Sequence, residues 1–266
     1  MRVLIVGAGA IGTSIAYQLA ARGAGVVVLE RQAVACAASG KSGGFLARDW
    51  CDGTPLKALA RRSFALHAEL AGSLKGDWGY RRMTTYAGEV GRSPALPLGA
   101  EPGWVSPDVA IAGQIGSAAT TAQVQPAAFT TGMMRAAEAW GAEVRLGEAE
   151  GLLRRGGDVV GVLFDGDALE ADAVVIAMGP WSILAAKWLP LPPVFGLKGH
   201  SLVFQTGATI PPEALFLEYA EPGGLMLSPE VFPRADGTTY VCGISSESCL
   251  PIDPASSPPM TGRSTG

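Results

Sequence analysis

The first thirty residues carry two kinds of apolar pattern in quick succession. Val3-Leu4-Ile5-Val6 is an unbroken apolar run of strand length. From Ile11 the period lengthens, and Ile11, Ile15, Leu19 and the alanines between them fall on one helical face, read as the stripe that packs on a sheet. Val26-Val27-Val28-Leu29 is a second unbroken run. Unbroken runs, as opposed to alternating ones, fit parallel strands buried on both faces, so this segment predicts a β-α-β unit. Leu56 to Leu70 reads as a helix, with Leu56, Leu59, Ala60, Phe64 and Leu70 inward and Lys57, Arg61 and Glu69 outward. Residues 79–118 lose the helical period and hold Pro94, Pro97, Pro102 and Pro107, which predicts short strands and loops. Pro126 suits the first turn of a helix running to about Trp140, stopped by Gly141 and followed by a strand over Ala142 to Leu146.

Strand-like runs follow at Glu150 to Arg154, Val159 to Phe164 and Ala173 to Met178, with a hairpin signal at Gly156-Gly157-Asp158. Gly179-Pro180-Trp181 starts another helix, which stops at Pro190. Leu189 to Pro193 reads as a crossing between domains. Beyond it, Phe195 to Thr206, Ala214 to Ala220, Leu225 to Ser228 and Thr238 to Gly243 predict an antiparallel sheet with a turn at Asp236-Gly237. From Ser256 onward no apolar period remains, and disorder is expected.

Composition narrows the class. At 266 residues, 48% apolar and 17% charged, the chain can bury a substantial core and is not a disordered polymer. A net charge of −4 gives no electrostatic ground for nucleic-acid or membrane-surface binding. Val3 to Ala21 is uncharged and long enough to cross a bilayer, but glycines break it, Thr13, Ser14 and Gln18 are polar, and its period changes midway. An integral membrane segment is therefore not expected. Cys36, Cys51, Cys242 and Cys249 lack metal-type spacing, and no secretory leader precedes them. They read as reduced thiols of a cytoplasmic protein without a metal.

The turn between the first strand and helix is Gly7-Ala8-Gly9-Ala10-Ile11-Gly12, and Glu30 closes the second strand. In this setting the three glycines have separate tasks: a tight turn, close approach of a pyrophosphate, and close packing of helix on sheet. The helix N-terminus, at Ala10 and Ile11, offers unpaired N–H groups to phosphate. A carboxylate roughly 20 residues further on can accept ribose hydroxyls, which is the place of Glu30. The reading is a bound adenine dinucleotide.

After this unit come the Ser/Gly-rich loop Ser39-Gly40-Lys41-Ser42-Gly43-Gly44, a long helix, a β-rich insertion, a meander, and a strand ending in Ala177-Met178-Gly179-Pro180-Trp181. That order resembles the D-amino-acid oxidase and glycine/sarcosine oxidase family of FAD-dependent oxidoreductases, over roughly residues 1–250. Ser39 to Asp52, Gly179-Pro180-Trp181, Lys198-Gly199-His200 and Val241-Cys242-Gly243 are most similar to a subgroup found in fungi and plants. The resemblance implies an α/β fold, with a Rossmann-type FAD-binding domain carrying a β-meander and an antiparallel-sheet substrate domain. Residues 1–78 and 122–190 would form the first, residues 79–121 and 191–250 the second, and 251–266 a disordered tail.

Carried over by residue, Gly7, Gly9 and Gly12 would contact the pyrophosphate, Glu30 the ribose, and Arg31 the adenine, with Glu148 to Glu150 against the same ring. Ser39 to Gly44 would pass the phosphates and reach the flavin. Ala177, Gly179 and Trp181 would close over the pyrophosphate. The family pattern continues past the last residue here, so the 266-residue chain is expected to hold FAD poorly.

The implied chemistry is oxidation of a small amine or amino acid by hydride transfer to flavin, which leaves little for a side chain to do beyond positioning. Lys198 and His200 are read either as groups near the flavin or a substrate carboxylate, or as a polar domain-boundary turn. Arg48, with Asp49 and Trp50, either lines the flavin face or caps a loop. Tyr219 and Tyr86 are cavity candidates whose plainer reading is core. His67 reads as a helix residue at the surface or half-buried. Cys36 and Cys51 read as small buried thiols before flavin attachment points, and Lys41 as a phosphate contact or a solvated charge. Two other functions stay open: a NAD(P)-dependent reductase sharing only the first β-α-β unit, and a non-catalytic binding or regulatory protein on a flavoprotein fold.

Overall fold

The structure is a computed structural model that describes residues 1–74, 76–91, 102–192, 194–207 and 209–251. Contacts divide the chain into two units.

The first unit comprises Met1–Ser42, Pro126–Leu197 and the described residues from Glu247. It begins β1 (Arg2–Val6), α1 (Ala10–Ala20), β2 (Gly25–Glu30) and the short α2 (Ala38–Lys41). A four-stranded parallel sheet, with β1 and β2 as its adjacent inner strands, is its centre. Its outer strands, β8 (Glu143–Leu146) and β12 (Ala173–Ile176), arrive from far along the chain. Leu4, Ile5 and Val28 are fully buried, as unbroken apolar runs require. One sheet face packs on α1 and on α4 (Pro126–Glu138), through Val3, Ile5, Val28, Ala16, Ala20, Met134 and Ala137. The other face, through Leu4, Val6, Val27 and Leu29, meets Val162 and Phe164 of an antiparallel meander. The meander is β9 (Ala149–Arg155), β10 (Asp158–Phe164) and β11 (Asp167–Glu170), ordered β11-β10-β9.

The sheet-facing stripe of α1 differs from the one read in sequence. Gly12, Thr13, Ala16 and Ala20 are buried, whereas Ile11 is 70% exposed and Ile15 and Leu19 are only partly covered. Helix and sheet approach closely here, so the small residues take the contact. Strand β11 was not legible because Asp-Ala-Leu-Glu holds no apolar run. Its pairing depends on the turn at Asp165 and Gly166, both at positive φ. Gly179–Lys187, read as a helix, is a 3-10 helix.

The second unit comprises Gly43–Gln125 and Lys198–Ser246. It contains β3 (Phe45–Ala47), α3 (Lys57–Ser73), β4 (Arg81–Arg82), β5 (Thr84–Val90), β6 (Val109–Gly116) and β7 (Thr121–Gln123). After the return of the chain come β13 (Lys198–Gln205), β14 (Glu213–Ala220), β15 (Met226–Leu227), β16 (Glu230–Pro233) and β17 (Thr238–Ser246). A seven-stranded sheet runs β13-β17-β16-β14-β5-β6, with β15 beside β14, and a small sheet runs β3-β7-β4. The large sheet is antiparallel as expected except for one parallel pair, β5 with β14, formed by strands more than a hundred residues apart.

Residues 43–78 group with this unit, not with the nucleotide-binding unit to which the sequence reading assigned them. The cause is β3 pairing with β7, which also pairs β4. In α3, Phe64 and Leu70 are buried as expected, but Leu59 and the N-cap Leu56 are exposed, at 67% and 56%. Strand β16 was hidden by the prolines at 229 and 233. The tail expected to be disordered from Ser256 lies outside the described residues.

Candidate functional site

Strand β1 delivers the chain to Gly7, where φ is +108°. That value lies in a region side chains rarely adopt, and a Cβ there would also run into the Ala177 carbonyl. The Gly7 N–H donates to the Leu29 carbonyl at 2.8 Å, tying the turn to the end of β2. A Cβ on Gly12 would overlap the Gly7 carbonyl oxygen and stand 3.4 Å from Ile5 Cγ2. Gly12 therefore lets the turn close on itself, a tighter demand than helix-to-sheet packing. Gly9 is the N-cap of α1 and offers no side chain to cap it. The cap comes from elsewhere: the Ala10 N–H donates to Ser39 Oγ at 2.9 Å, from 29 residues away.

Glu30 is 8% exposed, at the C-terminal end of β2. Its Oε2 accepts the Ala8 N–H at 2.8 Å and its Oε1 the Gln32 N–H at 3.0 Å. The carboxylate thus braces the glycine turn as well as facing the cleft. Cys36 Sγ lies 3.9 Å from Oε1, and burial, with the neighbouring Glu30 charge adding to it, pushes this thiol's pKa up. Glu30→Ala should orphan two backbone N–H groups, one of them buried. Each charged hydrogen bond contributes about 1.5–3 kcal/mol. We expect a lower unfolding temperature together with weaker nucleotide binding, checked by thermal denaturation and fluorescence titration on the same sample.

These groups surround a cavity of ≈ 370 Å³ within the first unit. Its lining includes Gly7, Gly9, Ala10 and Ile11 from the first turn, and Glu30, Arg31, Cys36 and Ser39 from the end of β2 onward. Ala177, Gly179, Trp181 and Trp188 also line it, as does Glu148. Arg31 and Glu148 form an ion pair at 3.4 Å. The Trp181 indole N–H donates to the Pro251 carbonyl at 3.1 Å. The position is the C-terminal end of parallel strands, facing a helix N-terminus, where an open α/β sheet binds an anionic nucleotide. The exposed Ile11, outside the helix–sheet contact, is part of this lining.

Ten of the residues anticipated for cofactor binding are brought together here, and six are not in the lining. Gly12 serves the turn. Gly40 accommodates the Ala35 carbonyl, which a Cβ would overlap. Lys41 and Ser42 are exposed. Gly43 and Gly44 belong to the second unit, where a Cβ on Gly43 would stand 2.5 Å from Phe232 Cδ2 and 3.1 Å from Tyr240 Cε1. The sequence reading missed Met178, Leu184 and Trp188 as lining residues. Nothing in their spacing marks them, since the 3-10 helix sets their direction.

The remaining candidates lie in the second unit. Arg48 pairs with Asp49 at 3.3 Å. Lys198 opens β13 opposite Ser246, and His200 Nε2 lies 2.8 Å from Ser246 Oγ. Tyr219 sits opposite Leu227. Tyr86 is buried in an apolar cluster with Ile111, Leu215 and Leu217, as its plainer reading held. His67, in α3, is half-buried, and burial pushes its pKa down.

All four cysteines are free. Cys249 is exposed, whereas burial and the nearby Glu230 push Cys242 up to about 11. At pH 8 Cys242 is therefore a thiol, and iodoacetamide should label Cys249 before Cys242. Mass-spectrometric peptide mapping over time checks that order. Among the described residues no group of His, Cys, Asp and Glu could hold a metal, and no helix is long and apolar enough to cross a membrane.

A parallel sheet with a glycine turn at a helix N-terminus, a meander on the face away from that helix and a separate mainly antiparallel unit define a class of nucleotide-binding proteins with mixed α/β folds. Comparison with known proteins narrows this. The model of the FAD dependent oxidoreductase family matches residues 2–261, and the chain belongs to that family. Its cofactor is FAD. An oxidoreductase of Schizosaccharomyces pombe is 29% identical over 94% of this chain and 72% of its own length. The bifunctional ThiO/ThiG protein of Nostoc sp. is 32% identical over 79% of this chain and 35% of its own length. Among solved structures, glycine oxidase from Bacillus cereus superposes with a TM-score of 0.76 at 22% identity, covering 92% of this chain and 72% of that one. L-amino acid deaminase from Proteus myxofaciens superposes at 0.68 and 21% identity, covering 90% and 57%.

Proposed function

We propose that this chain oxidises a small amine or amino acid, passing a hydride to FAD held in the cleft of the first unit. The observation that carries the reading is the convergence of the Gly7–Gly9 backbone, the Ala10 end of α1, Glu30 and Ser39 on one cavity. Backbone at Gly9 and the start of α1 hold the pyrophosphate, Glu30 accepts the ribose hydroxyls, and Arg31 and Glu148 flank the adenine. Ser39 keeps the helix end in place until phosphate competes for the same donors. Bound flavin supplies the hydride acceptor, and the protein's part is to position the amine and exclude water. The named relatives, glycine oxidase and L-amino acid deaminase, act on amino acids by their names, which supports the substrate class. Four free thiols agree with a reducing cytoplasm.

The test is extraction of nucleotide from purified, denatured protein, followed by turnover with a panel of amines and amino acids. FAD in the extract and bleaching of its visible band by an amine are the expected results. Recovery of NAD alone would rule out the flavin reading and favour the NAD(P)-dependent reductase. Stably bound FAD that no panel member reduces would favour a non-catalytic binding protein.

A further inference from the structure

The loop after β2 sets a thiol against the carboxylate of the cofactor cleft. Ala35 stands at φ +61°, in the left-handed region that a side chain disfavours. Such a conformation persists where its surroundings fix it. Here the Ala35 N–H donates to the Ala8 carbonyl at 3.2 Å, and the Cys36 N–H to the Ala33 carbonyl at 3.2 Å. The Ala35 carbonyl lies close against Gly40, where a Cβ would overlap it. The loop is thereby tied both to the glycine turn and to the start of α2. Cys36, half-buried, then lines the same cavity as Glu30, with Sγ 3.9 Å from Glu30 Oε1.

The two oxygens of Glu30 are not equally occupied. Oε1 accepts the Gln32 N–H at 3.0 Å and the Cys36 thiol, whereas Oε2 accepts the Ala8 N–H at 2.8 Å. A carboxylate has about four acceptor positions, two on each oxygen. The protein's own donors therefore fill Oε1 and leave a position on Oε2 for a ligand. Among the described residues, Cys36 is the side chain that donates to this carboxylate, the other two donors being backbone. A thiol is a weak donor. Burial, with the Glu30 charge adding to it, pushes its pKa up, so at neutral pH it keeps the proton it donates.

We propose that Cys36 is a positioning residue for cofactor recognition: its thiol holds Glu30 Oε1 so that Oε2 meets the ribose of the adenine dinucleotide. The inference rests on the ribose role given to Glu30 above. It is independent of which substrate the flavin oxidises.

Calorimetric titration of the full chain, freed of bound flavin, with ADP, 2′-deoxy-ADP and 3′-deoxy-ADP tests this. In the wild type, loss of a hydroxyl held by Glu30 should weaken binding about 10–100-fold, the range of one charged hydrogen bond. Cys36→Ala should shrink that ratio about 2–5-fold, the low end for one hydrogen bond, and leave affinity for the deoxy form nearly unchanged. Cys36→Ser should restore most of the ratio, because a hydroxyl also donates. A merely structural role would weaken all three nucleotides alike, and that result, or a ratio unchanged in Cys36→Ala, overturns the proposal while leaving the ribose role of Glu30 standing. A wild type that does not distinguish the three nucleotides, or binds none of them, overturns that role and the proposal together. Should Cys36→Ala fail to fold, as its melting curve would show, Cys36→Val keeps the volume, removes the donor and gives the same comparison.

Discussion

Gly12→Val should yield protein that is largely insoluble, or that melts about 5–10 °C or more below the wild type and carries no flavin. The introduced Cβ would overlap the Gly7 carbonyl oxygen, and its next neighbours are the Gly7 carbonyl carbon at 3.1 Å and Ile5 Cγ2 at 3.4 Å. Two of those three atoms are backbone, so no rotamer change relieves the clash. Relief requires opening a turn held by the Gly7 N–H to Leu29 carbonyl bond at 2.8 Å and the Thr13 N–H to Gly9 carbonyl bond at 2.9 Å. The first ties the end of β1 to the end of β2, and the second closes the first turn of α1. Overpacking of this kind costs about 1–3 kcal/mol or more, a large part of a typical domain's margin. In a chain of this size each kcal/mol shifts the melting temperature by about 2–4 °C. Circular-dichroism melting of the soluble fraction measures the effect. An unchanged melting temperature would show that the turn is not as tight as described.

Gly9→Val should give a different phenotype: folded protein with empty cofactor binding. Its Cβ would stand 3.1 Å from Ser39 Oγ, a side-chain neighbour able to yield by a few tenths of an ångström. The fold is therefore spared. The cleft is not, because Gly9 lines the cavity beside the Ala10 N–H, where a pyrophosphate must come close to the backbone. Two methyl groups there hold phosphate away from the helix N-terminus and displace the Ser39 hydroxyl from its bond to Ala10. The expected loss of FAD affinity is about 100-fold or more, since both the charge–dipole attraction and the backbone hydrogen bonds are lost together. Absorbance of the purified protein in the flavin band, set against an unchanged melting curve of the apoprotein, gives the result. Wild-type flavin content in a folded Gly9→Val protein would sink the assignment of this cleft.

The two glycines illustrate how far local pattern carries. Their spacing between an apolar run and a helix was enough to predict a tight glycine turn at the start of α1, and Glu30 was correctly located at the end of β2. Their individual tasks were not legible. Gly12 answers to a carbonyl five residues back, and Gly9 to a serine thirty residues on. Glu30 was read only as a ribose ligand, yet it also holds the Ala8 and Gln32 N–H groups, a contact no linear pattern reports. Gly40 and Gly43, read in sequence alongside the glycines of the first turn, instead make room for the Ala35 carbonyl and for the Phe232 and Tyr240 rings. A Gly-rich loop shows that the backbone must come close to something, without showing to what.

By itself the sequence determined the β-α-β start, the extent of α4, two of the three meander strands and the nucleotide class, because each depends on periodicity and turn chemistry within about ten to thirty neighbouring residues. Pairing between distant segments was decided only in three dimensions. Strand β12 joins β1 across some 170 residues, β14 lies parallel to β5, and residues 43–78 leave the nucleotide-binding unit to pair with β7. The same holds for α1, where the close approach of the sheet selects Gly12, Ala16 and Ala20 as the contact face and turns Ile11 out into the cavity. The period of a helix says that one face is apolar. How near its neighbour lies decides which residues, small or large, that face uses.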